Sequence, residues 1–194
     1  MRVLYGIQGT GNGHLTRSLL VIKSLSALGA TVDVLVSGRP ADAIPHIDGA
    51  RDVQHRHGVS FVARDGRMRP LATLVQVSLR QFVRDVRALE LDGYDRLVTD
   101  YEPVLAWAGR STGRPVIGVG HQYAFGRGIP SAMGDPVSHG ILRGYAPVVE
   151  RLGLHWAPYA PHILPPIVDV AALQRRPSTG TVVVYLPWKT RTRS

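Results

Sequence analysis

Apolar positions come in blocks whose spacing switches between continuous and helical. Residues 2–7 (RVLYGI) form a continuous run rich in β-formers, the pattern of a strand buried on both faces. Residues 8–13 (QGTGNG) make a turn that only glycine-rich sequence can adopt. From 14 to 28 the spacing is helical, with Leu15, Leu19, Ile22, Leu25 and Leu28 on one stripe and Gly29 placed to end it. Residues 31–36 (TVDVLV) are a second strand-like run. Strand, turn, helix and strand in this order open a right-handed parallel α/β unit.

The alternation continues. A short helix is expected over 40–47, with Pro40 in its first turn, and a third strand over 59–63 (VSFVA). The strongest helical pattern covers 71–89, where Leu71, Leu74, Val75, Leu79, Phe82, Val83, Val86 and Leu89 share one face. Residues 95–99 (DRLVT) and 115–119 (PVIGV) read as strands four and five. A helix over 102–113 lies between them, stopped by Gly113 and Pro115, and another is expected over 137–152. The expected fold is an α/β, Rossmann-like parallel sheet with helices on both faces. Leu164-Pro165-Pro166-Ile167 interrupts the pattern, and 165–180 reads as a linker. It divides a domain over 1–164 from residues 181–194, where TVVVYL has core-strand composition and a basic tail follows.

Composition narrows the function classes. The 194 residues are 44% hydrophobic and 19% charged, as expected of a packed globule. There is no cysteine, which excludes disulfides, thiolate metal sites and a thiol nucleophile. No apolar run is long enough for a spanning helix, and no secretory signal is visible, so the expected compartment is the cytoplasm. The net charge of +9 points less to nucleic acid than it first suggests. Arg175, Arg176, Lys189, Arg191 and Arg193 lie in an acid-free tail, leaving 18 basic against 14 acidic residues in the first 174. The basic residues that remain alternate with acids rather than forming a stripe with aromatics, so no nucleic-acid partner is expected.

The candidate chemistry begins at the glycine turn. Gly9, Gly11 and Gly13 let backbone approach a ligand at the carboxyl edge of the sheet, where a helix N-terminus also points. The dinucleotide fingerprint fails here: His14 stands at its third glycine, and Ser37-Gly38-Arg39 replaces the acidic ribose ligand. An arginine at that place suits a 2′-phosphate, which keeps an NADP reading open. His14, where the loop enters the helix, is either a base kept neutral by the helix dipole or a residue that shapes the loop. Asp100 is either a carboxylate of the site or the cap of the following helix. His55 and His57 alternate as on a strand without a carboxylate partner, so no metal site is expected there. His46, His139, His155 and His162 receive no role.

The stretch YGIQGTGNGHLTRSLLVIKSL resembles the opening of the GT-B glycosyltransferases, in particular the bacterial group containing the peptidoglycan UDP-N-acetylglucosamine transferase. Ser37-Gly38-Arg39, Thr99-Asp100-Tyr101-Glu102-Pro103 and Gly120-His121-Gln122 extend the resemblance, each after an expected strand, and it runs to about Trp188. The resemblance implies the N-terminal, acceptor-side half of a two-domain enzyme that moves a sugar from a nucleotide-activated donor to a hydroxyl. It implies His14 as the base that deprotonates the acceptor, with Asp100 as its catalytic partner. It implies a substrate-binding set of Gly9, Thr10, Gly11, Asn12, Gly13, Arg39, Glu102, His121 and Gln122, and no cofactor or metal. The donor half lies beyond the stretch that matches, so the chain is expected to be inactive alone. The alternatives are a non-catalytic subunit or binding module served by a separate donor-domain chain, and an NADP-binding Rossmann protein. Arg64, Arg67 and Arg69 precede the apolar helix from Leu71; they are either a solvated charged loop before a helix packed on the sheet or a basic edge that suits a lipid-linked acceptor and peripheral attachment at the inner membrane face.

Overall fold

The computed structural model describes residues 1–59, 63–64, 67–68, 79–125, 136–170 and 180. Seven strands form one sheet: β1 (Arg2–Gln8), β2 (Thr31–Ser37), β3 (Ala50–Arg56), β6 (Arg96–Asp100), β7 (Val116–Gly120), β8 (Glu150–Leu154) and β9 (Ile163–Leu164). Their order is β3-β2-β1-β6-β7-β8-β9 and every neighbouring pair is parallel. The short strands β4 (Ala63–Arg64) and β5 (Arg67–Met68) pair separately and antiparallel. Helices are α1 (Asn12–Ala27), α2 (Leu79–Arg87), α3 (Pro103–Thr112) and α4 (Pro136–Tyr145).

The continuous apolar runs follow from burial on both faces. Val3, Tyr5 and Ile7 of β1 pack with Val32, Val34 and Val36 of β2 against Leu15 and Ile22 of α1. Leu4 and Leu35 point the other way, onto Val104, Leu105 and Ala108 of α3 and Phe82 and Val86 of α2. Each fully buried aliphatic side chain here contributes about 1.5–3 kcal/mol. Gly6 lets α3 lie close on the sheet: a Cβ there would lie 3.1 Å from both Glu102 Cβ and Leu105 Cδ2. The end of α1 is closed by Gly29 at φ 84°, whose N–H donates to Ser26 O at 2.9 Å while Ala30 N–H donates to Leu25 O at 3.0 Å. Those two bonds satisfy the last carbonyls of the helix, and the left-handed backbone favours glycine.

Three expectations need correction. The third strand of the sheet is β3, not 59–63: its sequence ARDVQHR is polar, and Val53 is 41% exposed on this sheet-edge strand. A strand with an exposed face carries little apolar signal and is held by backbone pairing to β2. Val59 has no regular structure, Ala63 belongs to β4, and 60–62 fall outside the described residues. The helix expected over 40–47 reduces to a 3₁₀ turn at Ala41–Ala43, because Pro45 disfavours helical geometry in the residue before it. The helix expected over 137–152 ends at Tyr145; Pro147 cannot continue it, and Glu150–Leu154 becomes β8 beside β7. Of the helix expected over 71–89, Leu79–Arg87 is helical and 71–78 fall outside the described residues. Arg69, 171–179 and 181–194, with the strand expected at 181–186, also fall outside them, while 165–170 have no strand or helix. Among the described residues no helix is long and apolar enough to cross a membrane.

Candidate active site

The chain leaves β1 through α1 toward β2 on one side, and leaves β6 through α3 toward β7 on the other. The adjacent carboxyl ends of β1 and β6 therefore form the switch point where open α/β sheets leave a crevice. The glycine loop sits at this point. Gly9 N–H donates to Ser37 O at 2.7 Å, and a Cβ on Gly9 would fall 2.8 Å from both Ser37 O and Arg39 Cβ, so the position has no room for a side chain. Around Gly11 and Gly13 an added Cβ would meet nothing within 4 Å. Gly11 caps α1 without a side-chain hydrogen bond, and the first turn holds no acidic residue. Thr10 Oγ1 is buried without a hydrogen-bond partner.

Arg39 braces this loop from β2. Its Nε donates to Gly9 O at 2.9 Å, one terminal nitrogen to Asn12 Oδ1 at 2.8 Å and the other to Ala43 O at 3.3 Å. Three of the five N–H donors of the guanidinium are thus committed to the loop itself.

His14 and Asp100 meet at 2.8 Å, Nδ1 to Oδ1, although one opens α1 and the other ends β6. Asp100 is fully buried and is also bound by Arg17 Nε at 2.6 Å and Ser18 Oγ at 3.0 Å, both on Oδ2. Asp100 only accepts and so calls for a proton on His14 Nδ1, whereas the Arg17 guanidinium only donates and points an N–H at the same nitrogen. The proton is assigned to Nδ1 on the shorter contact, to Asp100, which leaves the lone pair on Nε2. Gln122 agrees with this assignment: its amide nitrogen faces His14 Nε2 at 3.4 Å. The second terminal nitrogen of Arg17, already donating to Asp100 Oδ1, lies 2.9 Å from His14 Nδ1 and balances the buried charge. The His14 side chain keeps 15% exposure.

Glu102 has a different place from Asp100. It is fully buried at the N-terminus of α3, where Oε1 accepts from Ser37 Oγ at 2.6 Å and Val104 N–H at 2.8 Å, and Oε2 from Leu105 N–H at 2.7 Å. The capping role considered for Asp100 therefore belongs to Glu102. Burial pushes the Glu102 carboxyl up to about 7, against the opposing pull of these donors. Between the two carboxylates, Tyr101 takes φ 58°, the only positive φ outside glycine among the described residues. Its ring lies parallel to His14 at 6.5 Å and stacks on Tyr145 at 4.9 Å, and its hydroxyl donates to Leu142 O at 2.9 Å.

His121 and Gln122 follow β7 in a 3₁₀ turn at the same edge of the sheet. Gln122 reaches His14 as described, and its Oε1 is buried without a partner. His121 turns to the neighbouring cleft, where Nδ1 lies 2.9 Å from Leu154 O. Sequence reasoning missed Arg17, Ser18 and Tyr101. Arg17 and Ser18 were visible as the i+3 and i+4 neighbours of His14, which share its helix face. Nothing in the sequence signals the backbone of Tyr101. Among the described residues, no group of three or more His, Asp or Glu side chains is placed to hold a metal.

The model of a family described as glycosyl transferase family 1 matches residues 1–135, more than half of the chain. The chain belongs to this glycosyltransferase family. Among solved structures, CalG4, the calicheamicin glycosyltransferase, matches 85% of this chain and 52% of its own, with TM-score 0.50 and 17% identity. MurG of Acinetobacter baumannii matches 64% of this chain and 36% of its own, with TM-score 0.39 and 17% identity. A glycosyltransferase of kitacinnamycin matches 61% and 29%, with TM-score 0.41 and 23% identity. The likeness to CalG4 is one of fold: a Rossmann-like α/β domain of the GT-B kind. The chain spans between about a third and a half of the length of these structures. No curated protein matches the chain.

Proposed function

We propose that residues 1–164 are the acceptor-side domain of a glycosyltransferase, that 165–180 are a linker, and that 181–194 begin the donor-binding half. The observation that carries this reading is the His14 imidazole, which pairs through Nδ1 with buried Asp100 and keeps part of its side chain exposed at the carboxyl edge of the sheet. In the reaction the acceptor hydroxyl attacks the anomeric carbon of a nucleotide-activated sugar. The new O–C bond forms as the bond from that carbon to the diphosphate breaks, and the acceptor proton passes to His14 Nε2. Asp100 stabilises the resulting imidazolium, and the uncapped amides at the start of α1 face the anionic leaving group.

Positioning two substrates contributes on the order of 7–11 kcal/mol to such a reaction. A general base contributes typically about 10²–10⁴-fold and does not replace it. We therefore assign donor binding to a further domain or separate chain, and little or no turnover to these residues alone. A lipid-linked acceptor presented at the inner membrane face is part of the proposal; it is supported by the family resemblance and by Arg64, Arg67 and Arg69 beside an apolar segment of the sequence.

The experiment is a radiolabelled nucleotide-sugar transfer assay on the chain alone, with a donor-binding half added, and with the His14→Ala chain in the same mixture. Robust turnover by the chain alone overturns the half-enzyme reading. Unchanged turnover with His14→Ala makes His14 a loop-shaping residue.

A further inference from the structure

Beside His14 a cleft of about 530 Å³ is lined by Gly13, Arg17, His121, His155 and Trp156, with Pro166 and Ile167 completing its rim. His121 and His155 stack there with ring centroids 5.9 Å apart and planes 16° apart. Backbone contacts fix their tautomers in opposite senses. His121 Nδ1 faces Leu154 O at 2.9 Å; a carbonyl only accepts, so Nδ1 carries the proton and Nε2 the lone pair. His155 Nδ1 accepts the N–H of Ala157 at 3.1 Å, so its proton is on Nε2. Two adjacent parallel rings thus offer one acceptor and one donor. The guanidinium of Arg17 is already paired with Asp100, so among the described residues that line the cleft no uncompensated cation calls for an anionic ligand. Trp156 is 84% exposed and supplies an open indole face.

We infer that this cleft takes a saccharide acceptor, with His121 and His155 reading a pair of neighbouring ring hydroxyls. Each hydroxyl both donates and accepts, so one of the pair donates to His121 Nε2 while its neighbour accepts from His155 Nε2–H. The C–H face of the sugar ring lies on the Trp156 indole. A simple phenol has one hydroxyl and leaves one imidazole unanswered. The inference rests on the glycosyltransferase reading only for the word acceptor; the recognition of the hydroxyl pair is independent of it.

The test is an NMR titration of the chain, following the imidazole and indole resonances of His121, His155 and Trp156. The probes are methyl β-glucopyranoside, methyl 3-deoxy-glucopyranoside, which has no neighbouring pair of ring hydroxyls, phenol and UDP-glucose. The glucoside is expected to shift all three side chains saturably, and the deoxy sugar to bind roughly tenfold more weakly. His155→Phe and, separately, His121→Phe keep a stacked ring, remove the polar nitrogen and should erase that difference. Equal binding of the two glycosides, a response to phenol in preference to the glucoside, or no response to the glucoside overturns the inference. A response to UDP-glucose alone places the hydroxyl pair on the donor and overturns the acceptor assignment. Sugar transfer to a phenolic acceptor sinks this inference while leaving the transferase reading intact. Discrimination between the glycosides with no transfer by the reconstituted enzyme does the reverse.

Discussion

Asp100 and Glu102 stand two residues apart at the end of β6, yet their carboxylates serve different helices. Asp100 binds His14, Arg17 and Ser18 of α1, whereas Glu102 binds Val104 N–H and Leu105 N–H of α3. In an extended strand, residues i and i+2 point to one face. The left-handed backbone of Tyr101, at φ 58°, breaks that alternation and lets one short segment equip both faces of the sheet.

The buried charge of Asp100 depends on Arg17. Arg17→Met is expected to destabilise the fold by about 3–5 kcal/mol, because it leaves a carboxylate at 0% exposure without its cation. The double variant Arg17→Met/Asp100→Leu should lose less than the sum of the single variants. Urea denaturation of the four proteins measures the coupling, and strict additivity would refute it.

Tyr101 reverses the usual ranking of alanine and glycine. At φ 58° a Cβ is strained, so Tyr101→Gly should be more stable than Tyr101→Ala by about 1 kcal/mol. Both should fall well below the parent, since each loses a buried aromatic ring worth roughly 3–5 kcal/mol. Thermal unfolding monitored by circular dichroism decides the order.

Glu102 makes stability depend on pH. Its folded value of about 7 lies above the ordinary 4.5, so the protonated form is favoured by folding. The associated stability is fully present below about pH 4.5 and is lost as pH rises through about 7. Glu102→Gln cannot ionise. The stability advantage of the parent over Glu102→Gln should therefore shrink between pH 5 and pH 8, by up to about 3 kcal/mol. Chemical denaturation at both pH values tests this, and a constant difference would refute it.

Gly13 should separate stability from function. An added Cβ meets nothing within 4 Å, and the residue lies inside α1, so Gly13→Ala should stabilise the fold by about 0.5–1 kcal/mol. It also lines the cleft beside His14, so the same methyl should weaken sugar binding. A melting curve and a glucoside titration on one protein sample suffice; tighter binding would contradict the placement of the ligand.

His14→Ala in the reconstituted enzyme should lower kcat by about 10²–10⁴-fold while changing the KM for the donor little, as expected of a group acting in the transition state. Initial-rate kinetics over a range of donor concentration separate the two parameters.

Much of this protein is dictated locally. The continuous apolar runs of β1 and β2, the stripe along α1 and the glycines that end α1 and α3 produce those elements without reference to the rest of the chain, because period and backbone freedom are local properties. The glycine loop and the residues after β6 and β7 mark the reactive edge, since strands that run parallel bring their carboxyl ends together. Other features exist only through long-range contact. β3 is polar and becomes a strand by pairing with β2, and β8 forms after a proline break by joining β7. The division of labour between Asp100 and Glu102 also lies beyond local pattern, since either residue type can cap a helix. It was decided by burial against two different helices and by the one strained residue between them, a choice that packing makes and spacing does not encode.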